Sequence, residues 1–310
     1  MKIGIIGLGD IAQKAYLPVI TQLPNIELVL CTRNSDTLKT LAQQYRITET
    51  CQEYPQLVGF GVDAVMIHAA TSVHFQIAEY FLLQGIPTFV DKPLADSAEA
   101  VEKLYDIAAR VNQPLYVGFN RRHIPLYNQH MQGVQQGNIS GLKSLRWEKN
   151  RHQLPGDIRT FIFDDFIHPL DSVNVTAKAD LQDAYITHQF DGNQLARLDI
   201  QWQQGETLLH ASMNRHFGMT TERVQACYSN TAVEFDSFVE GKRWQNNQEQ
   251  KVNLKDWTPM LTGKGFHSML LDWFDIIQSG TLASEVVHRN IASHQLAQRI
   301  YHYVEKAIKV

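Results

Sequence analysis

The sequence predicts an α/β chain with a doubly wound parallel sheet over residues 1–120. An α+β domain over 121–310 follows, built on an open-faced, mostly antiparallel sheet. Three observations carry this. The chain opens on a strand pattern that passes into Gly7-x-Gly9-x-x-Ala12 and then into helix-forming sequence. Apolar runs then alternate with helix-period stretches as far as residue 119. Beyond that, residues 181–252 turn to period-2 alternation with little helical signal.

The strands of the first domain are expected at Lys2–Ile6, Glu27–Thr32, Asp63–Ala69, Thr88–Asp91 and Leu115–Phe119. Their unbroken apolar character fits strands covered on both faces. Between them, helical periodicity marks Ser35–Tyr45, His74–Gln84 (Ile77 and Phe81 at i, i+4) and Ser97–Asn112 (Val101, Leu104, Tyr105 and Ala108 on one stripe). Pro18 is expected to interrupt the first helix, leaving a short turn after Gly9 and a fresh start near Leu17. In the second domain, Ala196–Trp202 alternates apolar and polar residues, and Arg223–Tyr228 faces Ala232–Phe238 across a Ser229-Asn230 turn. Helical patterns at Phe266–Gln278 and Arg289–Ile308 close the chain, the last being a candidate to pack back on the first domain. A cleft between two such domains is the default place for a small-molecule substrate.

Composition narrows the function classes. With 310 residues the chain can bury a substantial core. A formal net charge of −4 argues against a nucleic-acid or anionic-membrane surface. Cys31, Cys51 and Cys227 form no Cys-x-x-Cys, so neither a disulfide framework nor a zinc ribbon is expected. The apolar start meets Asp10 after a few residues and reads as a strand, not a leader peptide, and no stretch reaches membrane-span length. A cytoplasmic protein with no bound metal is the expectation.

The glycine turn suits a dinucleotide. Gly7 permits a tight turn off the strand, Gly9 has no side chain to hold a pyrophosphate away, and Ala12 lets the helix sit close to the sheet. The helix start at Asp10, Ile11 and Ala12 offers amide N–H groups to phosphate. A glycine-rich loop without a ligand would read the same way. At the end of the second strand, where a carboxylate usually holds the adenosine ribose, Thr32 stands instead, followed by Arg33 and Ser35. These three can surround a 2′-phosphate, favouring NADP over NAD. The alternative is that Arg33 is a solvated loop residue.

Asp91-Lys92-Pro93 ends the strand Thr88–Asp91, where α/β sheets place ligands. An ammonium there can stabilise the oxygen charge that grows as hydride leaves a carbinol. An exposed strand-end lysine is the equal alternative. Further on, Asp164 and His168 would lie one helical turn apart, with Asp171 three residues along, and a carboxylate beside an imidazole makes a proton-transfer pair. The same spacing also serves structure alone. Arg121, His123, Asn150, Arg151, Arg159 and Asp171 are possible readers of substrate hydroxyls, each with a surface role as the default.

Taken together, Gly7-x-Gly9-x-x-Ala12, Ala70-Thr71-Ser72-x-His74, Asp91-Lys92-Pro93, Gly118-Phe119-Asn120-Arg121-Arg122 and Asp164-x-x-x-His168 fall in the order and spacing of the Gfo/Idh/MocA oxidoreductases. The chain resembles that family over nearly its whole length. Ile11-Ala12-Gln13-Lys14-Ala15-Tyr16-Leu17-Pro18 and Val90-Asp91-Lys92-Pro93-Leu94-Ala95 are most similar to its MviM-like branch. The resemblance implies a Rossmann domain joined to an open-faced sheet, and NAD(P)-dependent chemistry on sugars or cyclitols. It implies that Lys92 faces nicotinamide and substrate, that His168 moves the proton and that Asp164 orients it. It further implies that Thr71, Ser72 and His74 line the cofactor, and that Asn120 and Arg121 lie near cofactor and substrate. Asp91 stands where the family has Glu, and Ser72 where Pro is frequent. The family's habit of covering the sheet with another subunit implies a homodimer or larger homo-oligomer. Two other readings keep the fold: a non-catalytic NAD(P)-binding regulator, and a redox-neutral glycosidase that uses the cofactor transiently.

Overall fold

The computed structural model describes residues 1–308. The chain divides into two compact units, Met1–Asn120 with Phe266–Val287, and Arg121–Gly265 with the chain from His288 onward.

In the first unit, β1 (Lys2–Ile6), β2 (Glu27–Cys31), β3 (Glu49–Cys51), β4 (Ala64–Ile67), β5 (Thr88–Val90) and β6 (Leu115–Val117) form one parallel sheet. Its order is β3-β2-β1-β4-β5-β6. The direction of winding therefore reverses between β1 and β4, the place where doubly wound sheets bind ligands. Ile3, Ile5, Val29, Leu30, Val65, Met66 and Phe89 have no exposed surface, as strands covered on both faces require. The helices α1 (Leu17–Ile20), α2 (Ser35–Tyr45), α3 (His74–Leu83) and α4 (Ala98–Val111) lie between the strands, and the last three follow the sequence periodicity. The α4 stripe of Val101, Leu104, Tyr105 and Ala108 is buried. Ser97 proves to be the cap of α4, its hydroxyl accepting from Ala100 N at 3.2 Å. The helix Phe266–Ser279 joins this unit, with Asp272 accepting from Tyr116 OH at 2.8 Å and Trp273 beside Phe89.

Two expectations for this unit are corrected. The α-helix does start at Leu17 as expected, but Pro18 does not break the chain's helical path, because a wide i→i+5 turn over Ala12–Tyr16 runs directly into α1. Pro18 then falls in the first turn of α1, where its missing N–H costs little. The short strand β3 carried no apolar run and is an addition to the expected set. It places Cys51 opposite Cys31 in adjoining strands, both thiols free and buried.

In the second unit, β7 (Leu142–Asn150), β8 (Ala184–Asp191), β9 (Gln194–Gln204), β10 (Thr207–Asn214), β11 (Thr221–Tyr228), β12 (Thr231–Phe235), β13 (Glu240–Gln245) and β14 (Gln248–Asn253) form a second sheet. Its order is β14-β13-β12-β11-β7-β10-β9-β8, antiparallel except where β10 runs parallel to β7. The β11–β12 hairpin turns at Ser229-Asn230 as expected, with Asn230 at φ +56°. The β13–β14 turn uses Asn246 and Asn247, both at positive φ, the geometry that matches strand twist. Helices α5 (Pro125–His130) and α6 (Ile167–Val173) belong to this unit, and α6 packs on β7 and β10. The closing helix starts at Ser284, ahead of the expected Arg289. Among the described residues no helix is long and apolar enough to cross a membrane.

Candidate active site

Each unit offers its own set of chemically capable residues. In the first, they gather at the C-terminal ends of β1, β2, β4 and β5. Gly7 follows β1 at φ +85°, and a Cβ there would lie 2.5 Å from Ala69 N, so backbone packing alone demands glycine. Gly9 differs: a Cβ there would meet nothing within 4 Å. Packing does not require glycine at position 9, and its missing side chain keeps a cleft open. That cleft, of about 500 Å³, is lined by Gly7, Gly9, Thr32, Arg33, His68 and Ser72 among others. Ser35 borders the adjoining groove with Gln52 and Glu53, which line both. Asp10 is exposed and paired with Lys14, and Ile11 is exposed, while Ala12 is fully buried beneath the turn.

The loop after β4 and the loop after β5 are tied together by His74. Its Nδ1 lies 2.9 Å from Pro93 O and its Nε2 2.8 Å from Ala69 O, and the ring is buried. His74 thus braces the strand end that carries Lys92. Thr71 begins the short turn leading into α3. Asp91 accepts a 2.7 Å hydrogen bond from Tyr16 OH. Burial pushes the Asp91 carboxyl up, against the opposing pull of Lys92 and Tyr16. Gly118 makes room for this pair, since a Cβ there would lie 2.6 Å from Tyr16 OH. Asn120 is buried at the end of the unit.

Sequence patterns did not single out His68 or Tyr16. Their rings stack with centroids 4.0 Å apart, directly after β4. His68 is 4% exposed, and neither ring nitrogen has a hydrogen-bond partner among the described residues. Burial, then the neighbouring His74, lowers its pKa to about 3, so the ring is neutral. A neutral imidazole on the wall of the cleft can donate from one nitrogen and accept at the other.

In the second unit, α6 carries a buried His168 and follows a wide turn over Thr160–Phe166. Within that turn Asp164 points to solvent and Asp165 is buried. Asp165, which the sequence spacing passes over in favour of Asp164, collects Lys149, Arg151 and Arg215. Burial would raise the Asp165 carboxyl, but Lys149 and Arg151 outweigh it and hold it well below the usual range. Burial, then the charge of Arg121, pushes Lys149 down to about 7.

The expected surface default for the hydroxyl readers needs correction at two positions. Asp171 is 1% exposed and bound by Arg122 (2.9 and 2.6 Å) and Ser293 (2.7 Å). Asn150 is buried and accepts from Asn214 N at 3.0 Å. Arg121 grips Glu222 at 3.2 and 2.9 Å, and Trp147 donates to the same carboxylate at 2.8 Å. Arg159 lies over the Phe163 ring, 4.9 Å from its centroid. Apart from Arg159 and Phe163, one helical turn apart, the sequence could not show these engagements, because the partners are distant along the chain.

Comparison with known proteins agrees with this fold. A family model described as "Oxidoreductase family, NAD-binding Rossmann fold" matches residues 1–119. The crystal structure of a Gfo/Idh/MocA family oxidoreductase from Vibrio cholerae is 59% identical over 100% of both chains, with a TM-score of 0.98. The dehydrogenase MviM from Clostridium difficile is 25% identical over 99% of each chain, with a TM-score of 0.86. Over a shorter stretch, myo-inositol dehydrogenase Hyg17 from Streptomyces leeuwenhoekii is 28% identical across 146 residues, 47% of this chain and 45% of its own.

Proposed function

The chain belongs to the Gfo/Idh/MocA oxidoreductase family, and from that starting point we propose that it transfers hydride between NADP and a polyhydroxylated small molecule. The substrate class is a sugar, cyclitol or similar polyol, reacting at a carbinol or carbonyl carbon. The observation that carries the reading is Gly9, a glycine that protein packing does not need, on an open cleft where the sheet order reverses. The relation to a myo-inositol dehydrogenase supports the substrate class.

Gly7, Gly9 and the helix start at Asp10–Ala12 would hold the diphosphate. The bound nicotinamide supplies or accepts the hydride. In the oxidation direction His168 takes the hydroxyl proton, and Lys92 stabilises the substrate oxygen as negative charge grows. Asp164 keeps the orienting role, and its exposure gives it a smaller share than His168. Asp91, held by Tyr16, steadies the segment next to Lys92.

The two glycines separate packing from binding. Gly9→Ala is expected to keep the wild-type melting temperature and to weaken NADP binding by at least about tenfold, or 1.4 kcal/mol. Gly7→Ala is expected to lower the melting temperature, because both its φ and its space are forbidden to a side chain. Thermal melts and cofactor titrations on the two variants check this.

For cofactor choice, Thr32 and Arg33 on the cleft wall support NADP. Arg33→Ala is expected to weaken NADP by roughly tenfold, within the range for a charged hydrogen bond, and to leave NAD unchanged. Equal loss for both cofactors would count against a 2′-phosphate contact. The function itself is tested by screening sugars, cyclitols and their keto forms for net change in NADPH absorbance. Net change supports the dehydrogenase. Substrate cleavage without net change would favour the redox-neutral glycosidase, and tight NADP binding with no turnover would favour the regulator.

A further inference from the structure

Around Asp165 the second unit gathers more cation than anion. Lys149 Nζ lies 2.5 Å from Asp165 Oδ1. Arg151 donates to both oxygens, Nε to Oδ2 at 2.9 Å and Nη2 to Oδ1 at 2.8 Å. Arg215 Nη2 adds a bond to Oδ2 at 3.0 Å. One carboxylate thus answers three cations. The nearby Glu222 is already taken by Arg121 and Trp147. Lys264 adds a further cation within electrostatic reach of Arg121, Arg151 and Glu222. Against these stand two more carboxylates, the exposed Asp157 and Asp164, both acting on Arg215, so the named cations outnumber the carboxylates by five to four.

The cluster has an unfilled buried donor, and its exposure separates it from a closed structural ion pair. The Arg215 side chain is 5% exposed, yet its Nε has no hydrogen-bond partner among the described residues. Arg151, in contrast, keeps 33% of its side chain exposed, and Lys264 is half-buried, so the cluster reaches solvent. At Asp171 the Arg289 Nε is likewise unpartnered among the described residues, but the two arginines there are 9% and 5% exposed and offer no opening to solvent. Surplus buried cations are costly unless an anion completes them.

We propose that the substrate carries an anionic group, a carboxylate or a phosphate ester, which Arg151, Arg215 and Lys149 receive. This rests on the dehydrogenase reading above and names the substrate class within it. A planar guanidinium presents paired donors suited to either group. An arriving anion would also favour the charged form of Lys149, which burial and its cationic neighbours now disfavour.

The test is calorimetry on the full chain loaded with NADP, using D-glucuronate, D-glucose 6-phosphate and D-glucose as probes. At least one anion is expected to bind tenfold or more tighter than glucose, roughly 1.4 kcal/mol. The two anionic arms show whether carboxylate or phosphate is preferred. Arg151→Gln is expected to remove most of that difference while NADP binding stays unchanged. Lys264→Gln, outside the hydrogen bonds to Asp165, gives the same readout in reduced measure should Arg151→Gln fold poorly. Glucose binding as tightly as both anions, no binding by either anion, or anion affinity undiminished in both variants would overturn the proposal. Failure of the dehydrogenase reading shows separately, as anion binding with no NADPH change under any keto or hydroxy substrate.

Discussion

Lys92→Ala and His168→Ala are each expected to lower turnover by about 10²–10⁴-fold, the range for losing a positioned proton-transfer or charge-stabilising group. NADP affinity should stay near wild type in both, because the turn proposed to hold the diphosphate lies elsewhere, at Gly7 and Gly9. The combination separates chemistry from binding. A loss confined to cofactor affinity would make Lys92 a binding residue, and unchanged turnover in both variants would refute the assigned roles. The double variant should fall less than the product of the single effects, since groups serving one proton and one oxygen act as a unit. Asp164→Ala provides the internal control, with a smaller effect expected from an exposed carboxylate.

Asp171→Ala should be the most damaging single change to stability. Its carboxylate is 1% exposed and is held by Arg122, Arg289 and Ser293. Removing it strands two buried guanidinium groups, an effect of about 3–5 kcal/mol when one partner of a buried pair is lost. That is a large share of an ordinary folding free energy of about 5–15 kcal/mol. The pH dependence follows from the same contacts. Burial would raise the Asp171 carboxyl, but Arg122 and Arg289 hold it down to about 2. An unfolded aspartate titrates near 3.9, so this contribution is complete above about pH 4 and is lost as pH falls toward about 2. Urea midpoints measured across that window should fall in the wild type, and Asp171→Asn should lack this component. Identical midpoints for wild type and Asp171→Ala at neutral pH would contradict the assignment.

The first unit was largely legible because parallel strands covered on both faces must be apolar along their length, as Ile3–Ile6 and Ala64–Ile67 are. Three-residue β3 escaped, since Glu49-Thr50-Cys51 has no such run. Pro18 misled because one wide turn absorbs it. In the second unit the central strand β7 escaped for a different reason. Its inward residues Leu142, Leu145 and Trp147 do not keep strict alternation, and its pairing with β11 slips at Tyr228.

The site divides the same way. Gly7 and Gly9 were readable because a tight turn and an open cleft impose glycine locally. The charge clusters were not, because Asp165 meets an arginine 50 residues on and Asp171 a serine 122 residues on. Spacing selected Asp164, and that its neighbour Asp165 is the buried carboxylate depends on the actual pitch of the Thr160–Phe166 turn, which spacing alone cannot give.

The most direct measurement follows one atom. NADPH carrying deuterium at C4 of the nicotinamide is incubated with keto sugars and keto cyclitols, neutral and anionic, and the products are analysed by mass spectrometry. The wild type should deliver deuterium to the new carbinol carbon of at least one substrate. Lys92→Ala and His168→Ala, both still binding NADPH, should deliver almost none. A wild-type protein that binds NADPH yet never passes the label, or variants that pass it at the wild-type rate, would contradict hydride transfer assisted by these two residues.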